Sequence, residues 1–119
     1  MLTVLLGLLT GCASPLVSST TSDAGTYEVS IPSDTWPEGD VDVAFTITAG
    51  GEPATGLSLM VHPTMDGMDH GEVEVETTEG DPGVYTGTVP FSMTGVWDLH
   101  GEITADAGAD AFSLVVSVE

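Results

Sequence analysis

From residue 26 to the C-terminus, apolar and polar residues alternate in short runs. Tyr27, Val29 and Ile31 alternate with polar residues, and the run 41–48 has the same period of two. That period predicts strands with one buried face. Further strands are predicted at 57–62, 72–77, 84–89, 96–104 and 111–118, with Gly and Pro between them. Seven short strands without a helical period predict an all-β protein, an antiparallel immunoglobulin-like β-sandwich.

The N-terminal region has a different pattern. The apolar run 2–9 is shorter than the roughly 20 residues that span a bilayer, so it is interpreted as the core of an export signal. The tetrapeptide that ends at Cys12 resembles the bacterial lipobox, in which the leader is removed and the cysteine is lipidated. The alternative is a buried cysteine in an N-terminal strand. We therefore expect a lipoprotein signal peptide at 1–11, a lipidated Cys12 with a flexible tether to residue 25, and a folded domain over 26–119.

Composition limits the functions that this chain can have. It carries 19 acidic residues and no Lys or Arg, so it cannot neutralise phosphates by the usual route, and we expect no nucleic-acid partner. There is no lysine for a Schiff base or for a phosphate-binding loop. Lipidation of Cys12 would also leave no free thiol. Since no Ser-His-Asp arrangement is recognisable either, we expect that the protein is not an enzyme.

The main chemical signal is the segment 60–71, which contains three of the five methionines and two of the three histidines. Thioether sulfur and imidazole nitrogen are favoured by copper, and thioether favours Cu(I). Methionine is more often a flexible core residue. Met65 and Met68, however, stand among Pro63, Asp66 and Asp69, a sequence that favours a loop and offers no apolar face. A metal-binding loop is predicted, with a purely structural loop as the alternative.

The three histidines differ in their predicted roles. His70 is the strongest ligand candidate because it shares a short loop with two methionines. His62 is expected on the same strand face as Met60. It is interpreted either as a fourth ligand or as a ligand in place of Met93, the methionine between the strands predicted at 84–89 and 96–104. His100 is expected on the outward face of its strand, as a solvated surface residue.

Several segments are similar to the YtkA-like domain family. These segments are 62–71, 83–85 and 91–99, and the likeness extends over most of 27–118. Its most specific parts are Met-x-x-Met-x-His-Gly at 65–71 and Met-x-Gly-x-Trp at 93–97. Members are small exported β-sandwich proteins, often lipid-anchored, related to FixH-like proteins and associated with copper handling. The resemblance implies metal-site candidates at Met65, Met68, His70 and Met93.

These observations lead to one principal hypothesis about function. It is a membrane-anchored protein facing the periplasm or exterior that holds copper, as Cu(I), for storage, buffering or delivery to an acceptor protein. An acidic loop also suggests calcium, but the spacing of Asp66 and Asp69 does not match an EF-hand and calcium has no use for methionine. The alternative from another class is an immunoglobulin-like interaction or assembly module that binds no metal.

Overall fold

The alternating runs form strands because each run places its apolar side chains on one face, where a second sheet covers them. The computed structural model describes residues 18–65, 73–106 and 108–119, and within them the chain forms eleven strands and no helix. In chain order these are β1 (Ser18–Thr21), β2 (Glu28–Ile31), β3 (Thr35–Trp36), β4 (Gly39–Ala49), β5 (Glu52–Pro53), β6 (Ser58–Met65), β7 (Val75–Glu76), β8 (Thr78–Glu79), β9 (Val84–Phe91), β10 (Gly95–Ala105) and β11 (Gly108–Val118).

The strands are arranged in two sheets. The first sheet has the order β1-β2-β4-β9-β8, and β5 also pairs with β4. The second sheet has the order β3-β11-β10-β6-β7. Neighbouring strands are antiparallel except for β3, which runs parallel to β11. The all-β antiparallel sandwich predicted from the sequence is therefore confirmed.

The core lies between the inner faces of the two sheets. Phe45 of β4 and Phe112 of β11 meet across it with ring centroids 6.1 Å apart. Tyr85 is buried as well, and its hydroxyl donates to the Ala54 carbonyl at 2.8 Å and accepts the Leu57 N–H at 3.0 Å. A buried tyrosine hydroxyl with both partners adds rigidity to the sandwich without leaving a polar group unsatisfied.

Strand boundaries differ from prediction mainly around residue 75. The sequence predicts a single strand over 72–77, but the described part of this region contains two short strands, β7 in the second sheet and β8 in the first. The chain therefore crosses between the sheets at Thr77. A pattern with a period of two identifies an extended chain but does not reveal a change of sheet within it.

The folded domain also begins earlier than predicted. The sequence assigns residues 18–25 to the tether, yet β1 pairs with β2 and the Asp23 N–H donates to the Ala111 carbonyl at 2.8 Å. The tether prediction is wrong for this part of the chain. The segment has no apolar period because it is an edge strand held by backbone hydrogen bonds, which place little demand on side-chain type. The predicted signal peptide and Cys12 lie outside the described residues.

Within residues 18–65, 73–106 and 108–119, no helix is long and apolar enough to cross a membrane.

The carboxylate of Glu79 in β8 accepts backbone hydrogen bonds from two turns, and its ionisation should contribute to the stability of the fold. The carboxylate accepts the N–H of Gly83 at 3.1 Å and that of Gly56 at 3.0 Å. These bonds, Gly83 first, lower the pKa of Glu79 against the opposing effect of partial desolvation. The stabilisation is thus complete above the unfolded-state pKa of about 4.3 and is lost as the pH falls through the lower folded-state value.

We therefore expect Glu79→Gln to be less stable than the wild type at pH 6, and the difference in stability to be smaller at pH 3. Urea unfolding of both proteins at the two pH values measures this. A difference that stays constant over the range would contradict the assignment.

Candidate metal site

Met65 is the last residue of β6 and faces the inner side of the second sheet. It is partly buried and packs against the core. Its register partner on β10 is Trp97. The Met65 methyl group lies over Gly95, so close that a Cβ built on Gly95 would be 2.6 Å from Met65 Cε. The absence of a side chain at Gly95 therefore provides the space that the thioether occupies.

Met93 lies two residues before Gly95, in the connection between β9 and β10. Its side chain is 40% exposed, which is unusual for so large an apolar residue in this domain. Its backbone is held in place because the Trp97 indole N–H donates to the Met93 carbonyl at 2.9 Å. Trp97 is itself buried and packs edge-on against Phe91, with centroids 5.5 Å apart. The Met93 side chain is therefore accessible from solvent.

Met65 and the backbone of Met93 are thus brought to the same end of the sandwich. The two residues are far apart in sequence, and the pairing of β6 with β10 is what joins them. Met68 and His70 lie outside the described residues, as do Asp66 and Asp69. The chain leaves the described part at Met65 and returns at Val73, which packs against the core. The roles of Met68 and His70 remain predictions.

His62 does not share this environment. It lies on the face of β6 opposite to Met65, with Met60 as predicted. Its Nε2 is 3.2 Å from Glu102 Oε1. Because the two side chains lie on opposite faces of β6, the structure does not bring His62 and Met65 together.

His100 faces outward, as predicted, but it is half-buried rather than fully solvated. It is the direct register partner of His62, and the two ring centroids are 6.2 Å apart. Its Nδ1 is 3.4 Å from Ser113 Oγ. The sequence analysis missed this pairing because alternation predicts which face a residue occupies, whereas the neighbour across the strand depends on register.

Among the described residues, no group of three or more His, Cys, Asp or Glu side chains is arranged to hold a metal ion. A metal site at the Met65 end would take its donors from thioethers and from residues 66–72, which lie outside the described residues. The methionines are well suited to this because a thioether coordinates without losing a proton.

The geometry defines a class of protein: a small β-sandwich with two methionines at one end and a histidine pair on one outer face. The model of the YtkA-like family matches residues 21–101, and the chain belongs to that family. Comparison with curated proteins and with solved structures gives no match.

The contact between Met65 and Gly95 can be tested without any metal. Gly95→Ala should displace the Met65 methyl group, and it should also strain the backbone, since Gly95 has a φ of 137°. Gly108→Ala is a matched control, because Gly108 has a φ of 138° and nothing lies within 4 Å of the position that a Cβ would take there. Both variants should lose about 1–3 kcal/mol of stability through strain.

Only Gly95→Ala should also shift the NMR resonance of the Met65 Cε methyl, while the other methionine methyls provide the reference. An unchanged Met65 resonance in Gly95→Ala would contradict the contact.

Proposed function

We propose that this protein is a membrane-anchored extracytoplasmic copper-binding protein that holds Cu(I) through Met65, Met68 and His70, with Met93 completing the site. One observation carries the proposal. The methyl end of the Met65 side chain lies over Gly95, beside the segment that carries the exposed Met93. Met65 directly precedes residues 66–72, which contain Met68 and His70.

The arrangement of Met65 and Met93 fits a soft cation. Met65 is partly buried and packed, so its sulfur has restricted freedom before any ligand binds. Met93 is exposed on a backbone fixed by Trp97, so its sulfur is accessible from solvent. A donor that is already ordered before the ion arrives reduces the ordering cost of binding. Thioether ligands also select Cu(I) over the hard cations that carboxylates prefer.

The same chemistry suits storage, buffering or delivery. Thioethers release no proton on binding, so the affinity does not depend on their own ionisation. An acceptor with comparable soft ligands can then take the ion by stepwise ligand exchange at Met93, the solvent-facing donor. Copper is cargo in this scheme, and the protein catalyses no reaction.

Anchoring to a membrane is part of the proposal. A lipidated Cys12 would hold the domain at a membrane surface, facing the periplasm or exterior. Because β1 begins at Ser18, only residues 13–17 would separate the lipidated Cys12 from the first strand. The domain would then remain close to the lipid surface, where a membrane-bound acceptor protein could reach it.

A second candidate is an interaction module that binds no metal. It is favoured by two valines on the outer face of the second sheet, Val96 and Val115, which are 55% and 61% exposed. Exposed apolar residues of this kind are frequent on protein surfaces when they occur singly. The methionine arrangement has no role in this alternative, so copper binding separates the two.

The proposal is tested by anaerobic titration of the full chain in detergent with Cu(I), against a chromogenic chelator that competes for the ion. We expect the protein to withdraw one equivalent of Cu(I) from the chelator. No withdrawal from even a weak chelator would overturn the proposal and leave the interaction module as the better account.

A further inference from the structure

His62 and His100 form a pair on the outer face of the second sheet, away from the Met65 thioether. They are direct register partners on β6 and β10, and opposite residues of an antiparallel pair have Cβ atoms about 4.5–5.5 Å apart. Their ring centroids are 6.2 Å apart with an interplanar angle of 40°. Two of the chain's three histidines thus meet at one point of the sheet.

The spacing of the rings suits one shared ion. A metal–imidazole bond is about 2.0–2.1 Å and a ring nitrogen lies about 1 Å from the ring centre, so one ion can join rings whose centres are about 6 Å apart. Small side-chain rotations would bring the rings closer and reduce the angle at the ion. No backbone movement is needed, because the strand pairing already sets the two Cα positions.

The hydrogen bonds of the two rings are also compatible with coordination. His62 engages Glu102 through Nε2, and His100 engages Ser113 through Nδ1. Each ring therefore retains one nitrogen outside these bonds, Nδ1 in His62 and Nε2 in His100. Metal-ligating histidines commonly use their second nitrogen in this way, with a carboxylate or another acceptor fixing the tautomer.

The electrostatic surroundings favour a cation. Asp98 and Glu102 flank His100 on the same face of β10, and Asp98 Oδ1 is buried without a hydrogen-bond partner among the described residues. Glu76 of β7 is the register partner of Met60 on the same face of β6. Since the chain contains no Lys or Arg, no side chain of permanent positive charge neutralises these carboxylates. The resulting negative potential raises the local concentration of cations.

We propose that His62 and His100 form a second metal site, an imidazole pair that takes a borderline divalent cation such as Cu²⁺ or Zn²⁺, with water in the remaining positions. Imidazole suits these ions, and Cu²⁺ binds a given set of ligands more tightly than Zn²⁺ does. Two protein ligands are consistent with the lack of any three-residue His, Cys, Asp or Glu cluster in the described residues. The proposal is independent of Cu(I) binding at the thioethers, because the donors differ and Met65 lies on the opposite face of the sheet from His62.

The test is an aerobic titration of the full chain in detergent with Cu²⁺, followed by electron paramagnetic resonance and by competition with a weak chelator. We expect one equivalent bound with hyperfine coupling to two nitrogens. His62→Gln and His100→Gln should each reduce the Cu²⁺ affinity at least tenfold and remove the two-nitrogen pattern. His70→Gln is the matched control. It should leave the Cu²⁺ affinity and the two-nitrogen pattern unchanged, although it should weaken Cu(I) binding if the thioether site exists.

Two results would overturn the proposal. Equal affinity in wild type, His62→Gln and His100→Gln would assign the binding to scattered carboxylates, and a selective loss in His70→Gln would assign it to residues 66–72. If the variants do not fold, the proposal can still be tested by an NMR measurement on the wild type. On addition of Zn²⁺, the imidazole NMR signals of His62 and His100 should shift together and that of His70 should not. Any other pattern contradicts the pair.

Discussion

Replacing Met65 and Met68 together with Leu should abolish competition for Cu(I) while leaving the sandwich folded. Leucine keeps the apolar volume of methionine and lacks the sulfur, and exchanges between the two usually cost less than about 1.5 kcal/mol. Met65 packs against the core beside Gly95, so Leu at this position preserves most of the packing. The double variant therefore separates coordination from folding. Anaerobic chelator competition measures the first and thermal unfolding the second.

Met60→Leu is the matched control for this experiment. Met60 is also partly buried in β6, but it lies on the opposite face of the sheet from Met65. The same chemical change there should leave the Cu(I) affinity of the protein as it is. Undiminished Cu(I) binding in the Met65/Met68 variant would rule out a thioether site, and an equal loss in Met60→Leu would show that the effect is not local to the loop.

Among the glycines of the described residues, Gly101 should show the largest loss of stability on replacement by Ala. Gly101 lies on the inner face of β10, and its register partners are Phe112 on β11 and Val61 on β6. The Phe112 ring packs directly over Gly101, and a Cβ at this position would overlap three ring atoms. Phe112 is fully buried and meets Phe45 of the other sheet, so it has no space into which to move.

The expected loss is about 1–3 kcal/mol or more, the usual range for overpacking of a filled core. For a domain of this size each kcal/mol lowers Tm by about 4–8 °C. Gly80→Ala is the control, because nothing lies within 4 Å of a Cβ at Gly80. Its effect should be small and in the stabilising direction, through reduced freedom of the unfolded chain.

A second substitution identifies the cause of the loss. If overlap with the ring is responsible, Gly101→Ala combined with Phe112→Leu should be more stable than the sum of the two separate losses predicts. Strict additivity would show that Phe112 is not the residue that opposes the added methyl group. Equal stability of Gly101→Ala and Gly80→Ala would contradict the packing described here.

The sequence predicts most of the architecture because each strand carries its own signal. Phe45 and Ile47 in β4, and Leu114 and Val116 in β11, occupy every second position, and all four are buried. Burial on one face requires only the local period of two. The strands that this period does not predict are short. β1 contains only Ser and Thr, and its place in the sheet depends on its backbone pairing with β2.

The candidate site is predictable only in part, because it depends on contacts between residues that are far apart in the sequence. Met65 and Met93 stand out in the sequence through composition and resemblance, but they are separated by the whole of β7, β8 and β9. The local sequence pattern does not predict that Gly95 leaves space for the Met65 methyl group. The sequence also offers His62 as an alternative to Met93, and only the structure shows that His62 and Met65 lie on opposite faces of β6.

The sequence by itself determined the all-β class, the faces of the long strands, the acidic character and the concentration of methionine and histidine near residue 65. Each of these depends on residue type or on neighbours a few positions away. The tertiary structure alone decided that Met65 approaches Gly95 and that His62 lies opposite His100. Both depend on the register of β6 against β10, and a slip of one residue would move every side chain to the other face. Register is set by packing of the whole core, which no single segment encodes.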